Sequence, residues 1–445
     1  SDAVHYIKNN GTLRGLFGLE SHLLEAATYD KNHNFVITTR KEALEAGMKA
    51  LNEYHNKGIQ KSSDISVSDY LDLWFKEFCS IQLKYNTQLG YLRIIENHLK
   101  PTFGSYYLKS ITPSQIQEYI NSLKIKGFSK SSIGGILGSF SGALKYAIEP
   151  LNILQSNPCT HVLMPKFQNR NKERYVLNDS TFKRIIKRFP EGSPWHIPLL
   201  IGYHTGLRIG EVFALTWEDI DFENSTLTVN KQVIKRNYGI SPLRVLKEKG
   251  KKEEKSGWYF ESTKTYSSKR IILLDSLVLD ALRREKERQF KNNEEYGDHY
   301  IYIYKKEETD EKGDTIFRLV EVEKSIPVFL REVNMICRKE NGQYASSDGF
   351  KYCARVIHHE LKIAFNFHSL RHTHATILVQ EGANIKDVQE RLGHARIDTT
   401  LGIYTHNTQQ MKEESVSLFE RHLKASVYKT CTNTSSIEDV EEVSY

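Results

Sequence analysis

At 445 residues the chain exceeds one ordinary domain, and roughly two to four are expected. Apolar residues at 39% and aromatics at 11% suffice for globular cores. The 62 basic and 55 acidic side chains leave a net charge of +7, which admits nucleic acid as a partner without requiring it.

The five cysteines, Cys79, Cys159, Cys337, Cys353 and Cys431, are far apart and form no CxxC pair. An odd, unpatterned set argues against a disulfide framework and a structural zinc site. No run of about 18 apolar residues occurs, which argues against a transmembrane helix. No basic-then-apolar leader opens the sequence. A soluble protein of a reducing compartment is the expectation.

Residues 1–62 read as a small α/β unit. Phe35 to Thr39 is strand-like, and Thr39-Arg-Lys-Glu42 resembles a capping box that opens an amphipathic helix running to about Asn56. The run Lys57 to Ser63 then reads as a linker. Residues 63–165 read as four helices. Val67, Tyr70, Leu71 and Trp74 keep a 3,4 spacing in the first. The second spans Asn86 to Leu99 and is expected to stop at Pro101. Thr112-Pro-Ser-Gln115 opens the third, with its proline suited to a first turn. The fourth runs from Ser129 to Ala147, and its Gly134, Gly135 and Gly138 suggest close approach of another backbone.

Pro158, Pro165 and the polar run Gln168 to Lys172 mark an interdomain linker. Residues 166–424 read as mixed α and β. A helix ends at Gly206 and another runs from Arg208 to Trp217. Ser225 to Ile234, Gly257 to Thr263 and Lys269 to Leu274 read as strands of a short sheet. Helices are expected to dominate from Val278, apart from strand-like His299 to Tyr304 and Thr315 to Val320. The charged stretch Lys305 to Asp314 reads as a loop, and Lys247 to Lys255 as a charged insertion. Residues 425–445 form a polar tail ending in acidic residues. The fold class is therefore multidomain and mainly α with small β-sheets.

Five short strings carry the chemistry: Thr205-Gly-Leu-Arg-Ile-Gly-Glu211, Ser262-Thr-Lys-Thr265, His368-Ser-Leu-Arg-His372, Leu392-Gly-His394 and Thr400-Leu-Gly-Ile-Tyr404. Arg208 has Glu211 three residues on, placed to hold the guanidinium. The planar fork of an arginine grips two phosphate oxygens. Lys264 lies between two strands, near a turn, where a hairpin-tip ammonium reaches a cleft as general acid. His368 and Arg371 sit three apart at a helix start, where free amides and the helix dipole favour a phosphate. Asn384 caps a helix that ends at Gly393, so His394 sits where the chain turns. Asp398 caps a short helix bearing Leu401 and Tyr404. His372 and His374 read as packing or support. A metal reading through His368, His372 and His374 lacks any pattern such as HExxH. Two arginines, a lysine and two histidines neutralise a phosphodiester while a tyrosine attacks it, and that chemistry needs no cofactor or metal.

The order and context of these strings resemble the tyrosine recombinase, or phage-type integrase, family. The resemblance covers most of residues 170–425 and, less specifically, the helices before them. It implies a catalytic domain carrying Arg208, Lys264, His368, Arg371, His394 and Tyr404, a helical core-binding domain, and an N-terminal unit that either binds arm-type DNA sites or is a plain structural extension. Within the family context Lys264 is favoured over Lys269, and Tyr404 over the other tyrosines. By the same analogy Lys84, Tyr85, Thr87, Arg93, Lys130 and Ser131 are candidate phosphate contacts. The implied partners are double-stranded DNA, three further copies of the chain in a homo-tetramer, and accessory DNA-bending or excision proteins; a membrane is not among them. The implied location is the bacterial cytoplasm. The apolar face of Val416, Leu418 and Phe419 would contact a neighbour. A type IB topoisomerase and a non-catalytic DNA-binding regulator are the competing readings.

Overall fold

The computed structural model describes residues 65–168, 176–237, 256–262, 269–310 and 312–395. The chain divides into two compact units, Ser1–Gln168 and Asn169–Tyr445. The readings made for residues 1–62, for the insertion 247–255 and for the tail 425–445 fall outside the described residues.

The described part of the first unit is helical. Helix α1 (Val67–Trp74) starts at Ser66, whose hydroxyl accepts from the Asp69 amide. It passes through a π-helical turn at Phe75–Cys79 into α2 (Ser80–Gln82). Helix α3 (Tyr85–Ile94) does the same through Ile95–Leu99 into α4 (Lys100–Phe103). Pro101 therefore does not end the second helix. It is the second residue after the π turn, in the first turn of α4, where a proline leaves no donor unsatisfied. Helix α5 (Pro113–Ile125) begins in the expected capping box of Thr112 and Gln115. Helix α6 (Lys130–Ile148) is capped by Ser129.

Val67, Tyr70, Leu71, Trp74, Phe103, Phe140 and Leu144 close the core of this unit. Trp74 stacks on Tyr91 at 5.7 Å and Phe103 on Phe140 at 5.2 Å. Among the described residues no other backbone approaches Gly134, Gly135 or Gly138 of α6. A Cβ at Gly135 or Gly138 would meet nothing within 4 Å among the described residues, and one at Gly134 would meet only the Met164 methyl at 3.8 Å.

In the second unit the helices are α7 (Asp179–Arg188), α8 (His196–Thr205) and the four-residue α9 (Ile209–Val212). The last is far shorter than the expected helix to Trp217, since the chain leaves it after one turn for a 3₁₀ turn at Trp217–Asp219. Strands β1 (Ile220–Asp221), β2 (Thr226–Val229) and β5 (Arg270–Leu273) make a three-stranded antiparallel sheet in the order β1-β2-β5. Strands β3 (Lys231–Asn237), β4 (Ser256–Ser262), β6 (Ile301–Thr309), β7 (Thr315–Glu323) and β8 (Arg331–Glu332) make a second, in the order β3-β4-β7-β6-β8. The stretch 225–234 is thus two strands, parted at Asn230 because each half pairs in a different sheet.

Residues 305–309 continue β6 rather than forming a loop. Their charges are satisfied on the sheet surface: Arg318 Nε donates to Glu308 Oε1 at 2.9 Å, and the Lys305 ammonium lies 4.9 Å from the Phe317 ring centre. Helix α10 (Ser276–Tyr296) precedes this hairpin, and α11 (Phe350–His359), α12 (Phe367–Gln380) and α13 (Ile385–Leu392) follow it. Between α10 and α11 the described residues form a 3₁₀ turn (Gly297–His299), three strands, isolated bridges and irregular chain, with no α-helix.

One core runs beneath both sheets, through Leu199, Ile201, Leu207, Phe213, Leu227, Ile272, Leu282, Phe350, Ile357 and Leu370. Helices α8 and α12 come together at Gly202, where a Cβ would stand 2.7 Å from Phe367 and 2.8 Å from Leu370. No described helix is long and apolar enough to cross a membrane.

Candidate active site

Helix α8 ends in a left-handed residue, Gly206 at φ 66°, and the chain turns back through Leu207 to Arg208. Arg208 is the residue before α9 rather than within it. Its backbone N–H donates to Glu211 Oε2 at 3.0 Å and its Nη1 to Glu211 Oε1 at 2.7 Å. Arg208 keeps 36% of its side chain exposed, whereas Glu211 keeps 3%.

Arg270, the first residue of β5, reaches the same carboxylate. Its Nη2 donates to Glu211 Oε2 at 2.9 Å and its Nη1 to Oε1 at 3.4 Å. Burial works to raise the Glu211 carboxyl, but Arg270 and Arg208 outweigh it and hold it below the ordinary carboxylate range.

Helix α12 is capped by Asn366, which accepts from the Ser369 amide at 3.0 Å. His368 lies exposed in its first turn, with its ring 4.5 Å from that of His372 and edge-on to it. Arg371 is 2% exposed. Its Nη1 donates to the Gly206 carbonyl and its Nη2 to the Leu392 carbonyl, both at 2.8 Å. Burial pushes the Arg371 guanidinium down to about 9, with Arg208 and Arg270 adding to the effect and Glu211 opposing it. It remains a cation at neutral pH.

Asn384 caps α13 as expected, accepting from the Lys386 amide at 2.8 Å, and Gly393 ends the helix at φ 66°. His394 follows in the turn. Its N–H donates to the Gln389 carbonyl at 3.1 Å, and its own carbonyl accepts from Gln389 Nε2 at 2.9 Å. Burial pushes the His394 imidazole down to about 3, and Arg371, Arg208, His368 and His372 push the same way. His394 is thus neutral at physiological pH and stands within electrostatic reach of both arginines and of His368.

His374 is a supporting residue, as expected. Its Nε2 accepts from Arg391 Nε at 3.0 Å, so the ring proton is on Nδ1, toward the Tyr203 backbone. Burial and Arg391 push its imidazole down to about 3.

Four of the six expected residues, Arg208, His368, Arg371 and His394, therefore meet around one spot. Lys264 and Tyr404 lie outside the described residues. The strands flanking this position are not a hairpin pair: β4 pairs with β3 and β7, and β5 with β2. Of the suggested phosphate contacts in the helical unit, Thr87, Arg93, Lys130 and Ser131 are exposed and Lys84 is half-buried. Tyr85 is buried at the start of α3 and belongs to the core instead.

A mixed α+β unit that gathers buried arginines and a neutral histidine on helix ends and backbone turns is a centre for handling an anionic ester. The comparisons agree. The profile described as the phage integrase family matches residues 176–411, more than half of the chain, and that described as the phage integrase N-terminal SAM-like domain matches residues 66–124. A tyrosine recombinase XerC-like protein of Caldanaerobacter subterraneus subsp. tengcongensis is 27% identical over 389 residues, covering 85% of this chain and 88% of its own length. The ICEBs1 integrase of Bacillus subtilis is 25% identical over 376 residues, covering 83% and 87%. The integrase of the Tn1549 transposon, solved in complex with a circular-intermediate DNA, shares the fold at a TM-score of 0.58 and 21% identity, covering 80% of this chain and 99% of that one. The chain belongs to the phage integrase family, the tyrosine recombinases. It is an enzyme of DNA strand cleavage and rejoining.

Proposed function

We propose that the chain is the integrase of a mobile element such as a conjugative transposon or prophage, with Tyr404 as nucleophile. The observation that carries this reading is the convergence of Arg208, Arg371 and His394, from three separate helix ends, around the turn that closes α13. The phenolic oxygen of Tyr404 attacks the scissile phosphorus, a 3′-phosphotyrosyl bond forms, and the bond to the 5′-oxygen breaks. Arg208 and Arg371 meet the charge that grows on the non-bridging oxygens. A guanidinium carries five N–H groups, and the two that Arg371 spends on carbonyls hold it in place while others face the phosphate. His394, neutral before DNA arrives, donates to the same oxygens, and the bound phosphate raises its affinity for a proton. His368 assists proton movement at the nucleophile. Lys264 protonates the leaving 5′-oxygen. The phosphotyrosyl bond conserves the energy of the broken ester, so rejoining to a 5′-hydroxyl of another duplex needs no nucleotide cofactor.

Exchange between two duplexes breaks four strands, one nucleophile each, which calls for a homo-tetramer on DNA. In this reading residues 63–165 form the core-binding domain, 166–424 the catalytic domain, 1–62 an arm-site unit, and 425–445 a tail. The chain works in the bacterial cytoplasm, with accessory DNA-bending or excision proteins as partners.

The test is a covalent adduct on nicked duplexes taken from the ends of the element that encodes the chain. With EDTA present, the intact chain is expected to form the adduct and Tyr404→Phe to form none. Binding without an adduct on any cleavable site would turn the reading toward a regulator.

A further inference from the structure

The last turn of α13 does something that no short motif displays. Its last two carbonyls and that of its C-cap, Gly393, each accept from a different guanidinium. Arg391 O accepts from Arg270 Nε at 2.7 Å, Leu392 O from Arg371 Nη2 at 2.8 Å, and Gly393 O from Arg208 Nη2 at 3.0 Å. These carbonyls lie at a helix C-terminus, where the backbone leaves acceptors unpaired and the helix dipole is negative. Three cations that repel one another are thereby gathered on one negative edge.

The turn is itself fixed by a fourth guanidinium. Arg391 spends its three nitrogens on three elements: Nε on His374 of α12 at 3.0 Å, Nη1 on the Leu273 carbonyl of β5 at 3.1 Å, and Nη2 on the His204 carbonyl of α8 at 3.2 Å. Arg270 closes the circuit from the other side, since it holds the Arg391 carbonyl and also shares Glu211 with Arg208.

We infer that Arg270 and Arg391 are positioning residues for strand cleavage: they set the register of the α13 turn, and through it the aim of Arg208 and Arg371 at the phosphate. The inference rests on the proposed roles of those two arginines. Neither positioning residue is required to touch DNA. Arg270 is 7% exposed, and each of the three side-chain nitrogens of Arg391 is engaged within the protein.

The experiment compares the full chain with Arg270→Gln, Arg270→Lys and Arg391→Gln on two nicked substrates. One carries the natural scissile phosphodiester. The other carries a methylphosphonate, in which a methyl group replaces a charged non-bridging oxygen, so that far less charge needs an aimed guanidinium. Adduct formation by Arg270→Gln and Arg391→Gln on the phosphodiester is expected to slow by about 10- to 100-fold, the order of loss when a residue that orients a metal ligand is removed. DNA affinity is expected to hold within about twofold, because phosphate contacts outside the scissile position supply most of it. On the methylphosphonate the defect is expected to shrink below about threefold.

Arg270→Lys keeps the charge but cannot span Glu211 and the Arg391 carbonyl together, so an intermediate loss with an unchanged melting temperature is expected. An equal loss on both substrates, a parallel loss of affinity and melting temperature in all three variants, or no loss at all would overturn the inference. Absence of an adduct from the unaltered chain would instead strike the proposed function beneath it.

Discussion

A carboxylate removed from water is costly to keep charged unless its partners stay in place, and Glu211 accepts from one backbone amide and two guanidiniums. Replacing it by glutamine keeps the shape and removes the charge, leaving Arg208 and Arg270 to face each other. Glu211→Gln is expected to lower unfolding free energy by about 3 kcal/mol, the lower end for a broken buried pair, because solvent screens the more exposed Arg208. Urea unfolding reads this directly, and an unchanged midpoint would contradict it. The pairing of Arg208 with Glu211 was legible in the sequence, because the two stand three apart. That of Arg270 with Glu211 was not, since 59 positions separate them and they meet only in the folded chain, where β5 pairs with β2. Arg391 was hidden for a different reason: in a helix's last turn an arginine reads as an ordinary partner for the dipole.

At the scale of elements, caps were the most legible feature. Thr112 with Gln115, Asn384 with Gly393, and Gly206 all sit where the sequence puts them, because each satisfies backbone groups within a few residues. Strand partners depend on distant chain, which is why 225–234 divides between sheets and 305–309 extends a hairpin. Gly206 shows how an element end becomes part of a site. It takes a positive φ, its carbonyl holds Arg371, and a Cβ there would stand 2.6 Å from Leu392 and 2.9 Å from His374. Gly206→Ala is expected to cost at least about 1 kcal/mol from backbone strain alone, with packing strain added. Cleavage is expected to fall further than stability accounts for, because the displaced groups carry Arg371 and the α13 turn. Adduct rate and melting temperature measured on one preparation test this, and a wild-type rate would refute it.

At the scale of the whole molecule the site weighs on acid stability. His374 and His394 are held neutral in the folded state, with imidazoles pushed down to about 3, while the unfolded chain binds protons at the ordinary histidine value of roughly 6.5. Their folded-state pKa values are depressed, so between those limits the unfolded chain carries more protons. The contribution of these histidines is therefore expected to be flat above about pH 6.5, and stability to fall as pH drops toward 3. Glu211, also depressed, adds a loss at the acid end as it protonates. Melting curves from pH 7.5 to 5 check the sign. His374→Gln, which cannot titrate, should shallow the slope, and an unchanged slope would remove His374 from the account.

The acceptors at Arg391, Leu392 and Gly393 are main-chain atoms, and every residue type supplies the same carbonyl. A saturation-mutagenesis map of this enzyme would therefore score Leu392 only for its buried side chain, although its backbone oxygen holds Arg371. The turn's contribution is encoded in geometry rather than in any residue identity. Two positions are exceptions: Gly393, whose left-handed conformation favours glycine, and Arg391, whose guanidinium ties the turn to its neighbours. Relatives with little sequence in common at these positions can thus carry the same charge-gathering edge, and a comparison of side chains alone would pass over it.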